Sequence, residues 1–172
     1  GVSVGDIVVA DQLVQHDFDI KGVMGCQRFE IPLLGMSRIP GDPVLVGSAE
    51  QSAFTVVADA TYHGAVSKFV DRVPLVHRGI IASGDVFVCD PREREALVRD
   101  IPNLLCVEME GAAVAQVCVE RSVPCVVARI ISDGADDSAH VSFESFIRDA
   151  AAVGSEKFVV NFISHIQDGG LG

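Results

Sequence analysis

The sequence predicts an α/β fold with a mostly parallel, twisted sheet flanked by helices. From residue 79 onward, short β-branched runs alternate with amphipathic segments, the order expected of strands connected by helices. The run at 124–132 is nearly continuous in apolar residues, as in a central parallel strand covered on both faces. The 172 residues are the size of a single domain, and 49% apolar against 22% charged side chains is the balance of a chain that buries a core. With 13 Lys+Arg against 24 Asp+Glu the net charge is −11, which repels phosphate backbones and anionic lipid headgroups. Nucleic acid and membrane surfaces are therefore not expected as partners. No apolar run reaches the roughly 18 residues of a membrane span, and the first residues lack the basic start of a secretory signal, so the expected location is cytoplasmic.

The chain begins without Met, at Gly1, and enters a strand at residues 6–10 (DIVVA) with no leading element, as a fragment would. Residues 27–47 carry Pro32, Gly35, Pro40 and Gly41 and read as a loop, the kind of segment in which substrate lids are found. Residues 44–60 are rich in Ala and Val and read as a weak helix, with Gly47 and the β-branched positions against it. A strand follows at 79–83. Pro91 then opens a segment, PREREALVRD, that is acidic first and basic last, as the helix dipole favours. A strand at 104–109 and an Ala-rich helix at 110–121 precede the apolar run at 124–132. Ser142 caps a long helix in which Phe143, Phe146, Ile147, Ala150, Phe158, Phe162 and Ile166 largely keep a 3.6-residue period. The five cysteines form no C-x-x-C pair and read as reduced, buried small hydrophobes.

Ligands of parallel α/β sheets bind beyond the carboxyl ends of the strands. Three such ends are acidic here: Ser83-Gly84-Asp85, Glu108-Met109-Glu110 and Ser132-Asp133-Gly134. Their convergence would make one polar pocket. A carboxyl following a buried strand, as Asp133 does, suits a general acid, while Asp-Gly is equally a turn signal. Glu108 and Glu110 share one parity and would face one side of a continuing strand, where carboxylates can accept the hydrogen bonds of vicinal sugar hydroxyls. If Glu110 instead starts the next helix, it is a favourable first-turn charge. Arg129 lies within the apolar run and needs a carboxylate partner, which reads as a structural ion pair. Phe87 and Val88 read either as core or as a wall for a flat heterocycle. His16 and His140 stand at no metal-ligand spacing and read as loop residues.

These pieces resemble the nucleoside phosphorylase and nucleosidase family, and most closely its methylthioadenosine/S-adenosylhomocysteine nucleosidases. The resemblance is carried by VGDIVVAD (4–11), SGDVFV (83–88), VEMEGAAVAQVC (107–118) and ARIISDGADDSAHVSF (128–143). It implies a three-layer fold and hydrolysis of the N-glycosidic bond of an adenine nucleoside, giving adenine and a thioribose, with no metal or organic cofactor. By the resemblance Asp133 protonates N7 of the purine, with Ser132 beside it. Glu110 holds the ribose hydroxyls, Met109 packs on the sugar, Phe87 and the Val88 backbone form the base wall, and Phe143 lines the pocket for the 5′ substituent. Glu108 joins the substrate-facing set by its parity. The resemblance further implies a homodimer, and it makes residues 1–172 the C-terminal two thirds of one domain whose water-activating glutamate precedes Gly1. Other readings are a phosphorolytic relative, a futalosine hydrolase, or a non-catalytic storage or binding protein of the same fold. The lack of an arginine before Arg148 in the stretch after Asp133 favours hydrolysis over phosphorolysis.

Overall fold

The computed structural model describes residues 1–23, 25–32, 34–134 and 144–168. Strand β1 (Ile7–Gln15) is the centre of the sheet and is buried along most of its length. On one side it pairs in parallel with β3 (Val76–Ser83), which in turn pairs in parallel with β4 (Leu104–Glu108). Its other side carries two short antiparallel strands: β2 (Ile39–Pro40) opposite Gln12 and Leu13, and β5 (Ala128–Ile130) opposite Ile7 to Val9.

A β-bulge between Ala10 and Gln12 resets the alternation of β1. Before it, Ile7 and Val9 face one core and Val8 and Ala10 the other; after it, Leu13 joins the face of Val8 and Ala10 despite its odd number. That face packs on helix α4 (Gly111–Glu120) through Ala112 and Ala115, small residues that let the helix approach the sheet closely. The opposite face is covered by α1 (Pro43–Val57), α2 (Ala60–Val66) and the long C-terminal helix α5 (Ala152–Asp168). The result is a helix–sheet–helix sandwich.

Local chemistry explains where the helices begin. Asp42, Asp59 and Asp90 each sit in extended backbone and accept hydrogen bonds from the first free amides of α1, α2 and α3 (Pro91–Asp100), and Pro occupies the first turn of α1 and α3. Asp59 also takes Lys157 of α5 at 3.0 Å, so one carboxylate caps α2 and ties α5 to it. Gly154 lets α5 come this close, because a Cβ there would lie 2.5 Å from the Tyr62 ring and 2.7 Å from Ile130. The buried Tyr62 hydroxyl donates to the carbonyl of Gly5 at 2.7 Å, and Phe69 meets Phe146 edge-on at 5.2 Å.

Two sequence expectations are corrected and two helices are refined. Residues 27–47 are not all loop: Ile31 bridges Met36, β2 follows, and α1 already starts at Pro43. The helix expected over 44–60 is present as α1, which ends at Val57, and α2 follows after a two-residue break at Ala58 and Asp59. The apolar run at 124–132 contributes a strand of three half-buried residues that is antiparallel to β1, because its partner is the start of β1 and not a parallel neighbour. The long C-terminal helix is present, but it is preceded by a π-helical turn (Ile147–Ala151) in which the Ala152 amide bonds the Ile147 carbonyl. Ser142, Phe143 and His140 lie outside the described residues.

Candidate active site

Strands β3 and β4 end side by side, with Ser83 in register with Glu108. The chain leaves β4 directly into α4, whose Glu110 is the N-cap residue in non-helical backbone and makes no side-chain cap of its own. Glu108 caps the helix instead, both of its oxygens accepting from the Gly111 amide at 2.9 Å. It also accepts from the Ser83 hydroxyl, while Ser83 Oγ accepts from the Ala112 amide at 2.7 Å. Arg129 reaches across from β5 to close the network, its Nε 2.8 Å from Glu108 Oε2 and its Nη2 bonded to the same oxygen. Burial alone would push the Glu108 carboxyl up, but the Ser83 hydroxyl, the Arg129 guanidinium and the Gly111 amide together hold it below the usual range.

Glu110 differs from its neighbour. Its side chain is 70% exposed, and among the described residues it has one ionic contact, Arg129 Nη2 at 3.2 Å. The shared parity of Glu108 and Glu110 therefore does not make them equivalent, because the strand ends between them. Glu108 is occupied by a helix cap and an ion pair, and Glu110 keeps acceptor sites open to the cavity. The structural pairing read for Arg129 is present, to both carboxylates.

A cavity of about 460 Å³ runs beside β4. Glu108, Met109 and Glu110 line it from the β4–α4 turn, Phe87 and Val88 from the segment after β3, and Arg129, Ser132 and Asp133 from β5 and the residues that follow. Seven of the eight sequence-predicted binding and acid residues thus border one space, together with Arg129, and Phe143 lies outside the described residues. The route by which they meet is not the predicted one. Because β5 runs antiparallel, Ile130 stands opposite Ile7, at the far end of β1 from the Gln15–Ser83 pair. The cavity instead follows the whole of β4, which is why its floor includes Leu104, Leu105, Cys106 and Val107.

Asp133 is half-buried and its Oδ2 accepts from the adjacent Ser132 hydroxyl at 2.6 Å. Met109, 40% exposed, and Val86, 52% exposed, present apolar surface to the same space. The cavity therefore pairs carboxylates at one wall with apolar and aromatic surface at another, a combination suited to a sugar bearing a flat heterocycle. Among the described residues no group of three or more His, Cys, Asp or Glu could hold a metal ion, and no helix is long and apolar enough to cross a membrane.

His16, read from the sequence as a loop residue, is packed behind the site. Its Nε2 is buried without a hydrogen-bond partner among the described residues, and Gly84 makes room for it, since a Cβ there would fall 2.5 Å from that nitrogen. Burial lowers its tendency to protonate, against the opposing pull of Asp17, Glu108 and Glu93. The cysteines are half-buried rather than buried, and desolvation pushes the Cys106 thiol in the cavity floor up to about 12. Sequence reasoning missed Arg94, Val98, Ile147 and Ala151 as cavity residues. Charged and apolar positions on surface helices carry no signal of what they face until the helices are placed.

A family model described as the phosphorylase superfamily matches residues 1–164. A 5′-methylthioadenosine/S-adenosylhomocysteine nucleosidase of Geobacillus sp. (strain WCH70) is 36% identical over 167 residues, covering 96% of this chain and 64% of that protein. An aminodeoxyfutalosine nucleosidase of Helicobacter pylori (strain J99 / ATCC 700824) is 34% identical over 166 residues, covering 96% of this chain and 63% of that protein. Among solved structures, the 5′-methylthioadenosine/S-adenosylhomocysteine nucleosidase of Neisseria meningitidis in complex with methylthio-immucillin-A superposes with a TM-score of 0.78 at 30% identity. That match covers 95% of this chain and 63% of that one. The chain thus spans less than two thirds of the length of the relatives it matches.

Proposed function

Since the chain belongs to the phosphorylase superfamily, we propose that the complete protein hydrolyses the N-glycosidic bond of 5′-methylthioadenosine and S-adenosylhomocysteine, releasing adenine and the thioribose. Residues 1–172 act in it as the C-terminal two thirds of one domain, supplying the acid together with the ribose and base contacts. The reading is carried by one observation: Asp133, Glu110, Met109 and Phe87 border a single cavity. Its nucleosidase relatives support the same chemistry.

Cleavage of the bond between C1′ and N9 leaves positive charge on the ribose and negative charge on the base, an oxocarbenium-like state. Asp133 donates a proton to N7, so the base departs as neutral adenine. The Ser132 hydroxyl, 2.6 Å from Oδ2, orients the carboxyl for this transfer. Glu110 accepts hydrogen bonds from the ribose hydroxyls, and its charge favours the developing cation. Glu108 acts one step back by fixing Arg129 and the start of α4, and so the position of Glu110. Phe87 and Val88 bound the base, and Met109 packs on the sugar. Water then adds at C1′, and the proton it releases balances the one that Asp133 gave to N7. The protein works in the cytoplasm as a homodimer on this reading.

A second reading is favoured by the 34% identity to an aminodeoxyfutalosine nucleosidase: the same bond is cleaved in a nucleoside with a different 5′ substituent. Adenine release from methylthioadenosine, with and without phosphate, tests the proposal. Phosphate-independent release supports the hydrolase, and release only with phosphate identifies a phosphorylase. Asp133→Asn is expected to bind methylthioadenosine with affinity near that of the parent while turnover falls by about a hundredfold or more. Unchanged turnover removes Asp133 as the acid.

A further inference from the structure

Arg94 stands in the middle of α3, a helix with no buried residue, yet it lines the cavity and is itself half-buried. The other arginines of that helix are neutralised nearby, Arg92 by Asp90 at 2.7 Å and Arg99 by Asp100 at 3.3 Å. Arg94 has no carboxylate within 4.0 Å among the described residues, in a chain whose net charge is −11. Its Nη1 donates instead to the backbone carbonyl of Gly134 at 3.0 Å, linking positions forty residues apart. A guanidinium with no carboxylate partner among the described residues, directed instead to a backbone carbonyl, calls for a reason, since its planar fork is better matched to a carboxylate.

The backbone around Gly134 supplies that reason. Sheet pairing of β5 stops at Ile130, and Ile131 is held by its amide on the Asp6 carbonyl at 2.9 Å and by its carbonyl to the Gly5 amide at 2.8 Å. Beyond Ile131, Arg94 supplies a tether to the backbone at Gly134. Asp133 lies between these two anchors.

We propose that Arg94 is a positioning residue: by holding the Gly134 carbonyl against α3, it fixes the peptide that carries the Asp133 carboxyl in the orientation required for proton transfer. This rests on the nucleosidase reading above. A general acid must come within about 2.6–3.2 Å of the atom it protonates, and a misplacement of about 1 Å can cost two orders of magnitude in rate. Arg94 touches neither the base nor the sugar in this scheme and acts through the backbone.

The test uses the complete protein with Arg94→Leu, which keeps an apolar stem and removes the donors, and Arg94→Lys, which retains a cationic donor group. Arg92→Leu, on the solvent side of the same helix, is the control. For Arg94→Leu, kcat for methylthioadenosine is expected to fall about tenfold with KM within about twofold and the melting temperature unchanged. Arg94→Lys is expected to recover most of the loss, and Arg92→Leu to match the parent. Full kcat in Arg94→Leu overturns the assignment. A rise in KM at constant kcat, or a kcat loss that tracks a fall in melting temperature without rescue by lysine, overturns it as well. If the parent protein releases no adenine from any purine nucleoside, the functional reading falls and takes this assignment with it; an active parent with an indifferent Arg94→Leu variant overturns this assignment alone.

Discussion

Removing the Glu108 carboxylate is the most direct probe of how the site is held together. In Glu108→Ala the Gly111 amide and Ser83 hydroxyl lose their acceptor, and Arg129 keeps only Glu110 at 3.2 Å. Separating a buried ion pair costs about 3–5 kcal/mol, and a stranded buried amide about 1–3 kcal/mol. Arg129 is 35% exposed and retains one partner, which places the ionic part at the low end. The sum expected for Glu108→Ala is about 4 kcal/mol. Glu108→Gln keeps the shape and an acceptor but not the charge, and its expected loss is about 2 kcal/mol, the difference between charge-assisted and neutral bonds. The pH dependence follows from the lowered carboxyl. Its stabilisation is fully present above the ordinary glutamate value of 4.5 and disappears as pH falls through the lower folded value. The gap between parent and Glu108→Gln should therefore be wide at neutral pH and close in acid. Urea unfolding of the complete protein, followed by circular dichroism at about pH 7.5 and at steps below about pH 4.5, measures it. A Glu108→Ala loss below about 1 kcal/mol, or a parent–Gln gap that stays constant into acid, would refute the argument.

Two further perturbations probe other parts of the molecule. Glu110→Gln, which leaves Glu108 and its cap intact, should weaken binding of ribose-containing ligands by about tenfold while leaving free adenine within about twofold; an equal loss for both, read by calorimetry, would assign Glu110 a structural role. Asp6 is fully buried, accepts from the Ser3 amide at 3.0 Å, the Leu75 amide at 2.8 Å and His77 Nε2 at 2.8 Å, and is ion-paired with Arg72. Burial would raise its carboxyl, but these donors outweigh it and keep it lowered, so its stabilisation holds above about 3.8 and fades in acid. Asp6→Ala should cost about 3–5 kcal/mol in thermal or urea unfolding at neutral pH, and a loss under about 1 kcal/mol would contradict the assignment.

The alternation of elements and most helix starts were legible in the sequence, because they depend on residues close together along the chain. Pro91 with its flanking charges marked α3, and the strand–helix succession from residue 79 onward marked an α/β sheet. The same local patterns pointed to Asp133, Met109 and Glu110 as residues at element ends, all of which border the cavity. Apolar continuity in 124–132 showed a buried segment but not its direction, since periodicity is the same for parallel and antiparallel strands. Only pairing with Ile7, more than a hundred residues earlier, decided that β5 is antiparallel. Likewise, parity placed Glu108 and Glu110 together, while their division of labour was decided by Arg129 arriving from β5 and by the start of α4 between them. Arg94 is the plainest case: in sequence it is one charge in a solvent-facing helix, and its contact with Gly134 exists only because the packed sheet brings α3 beside the end of β5. Local composition determines which elements form, whereas contacts between distant segments depend on how those elements share one core.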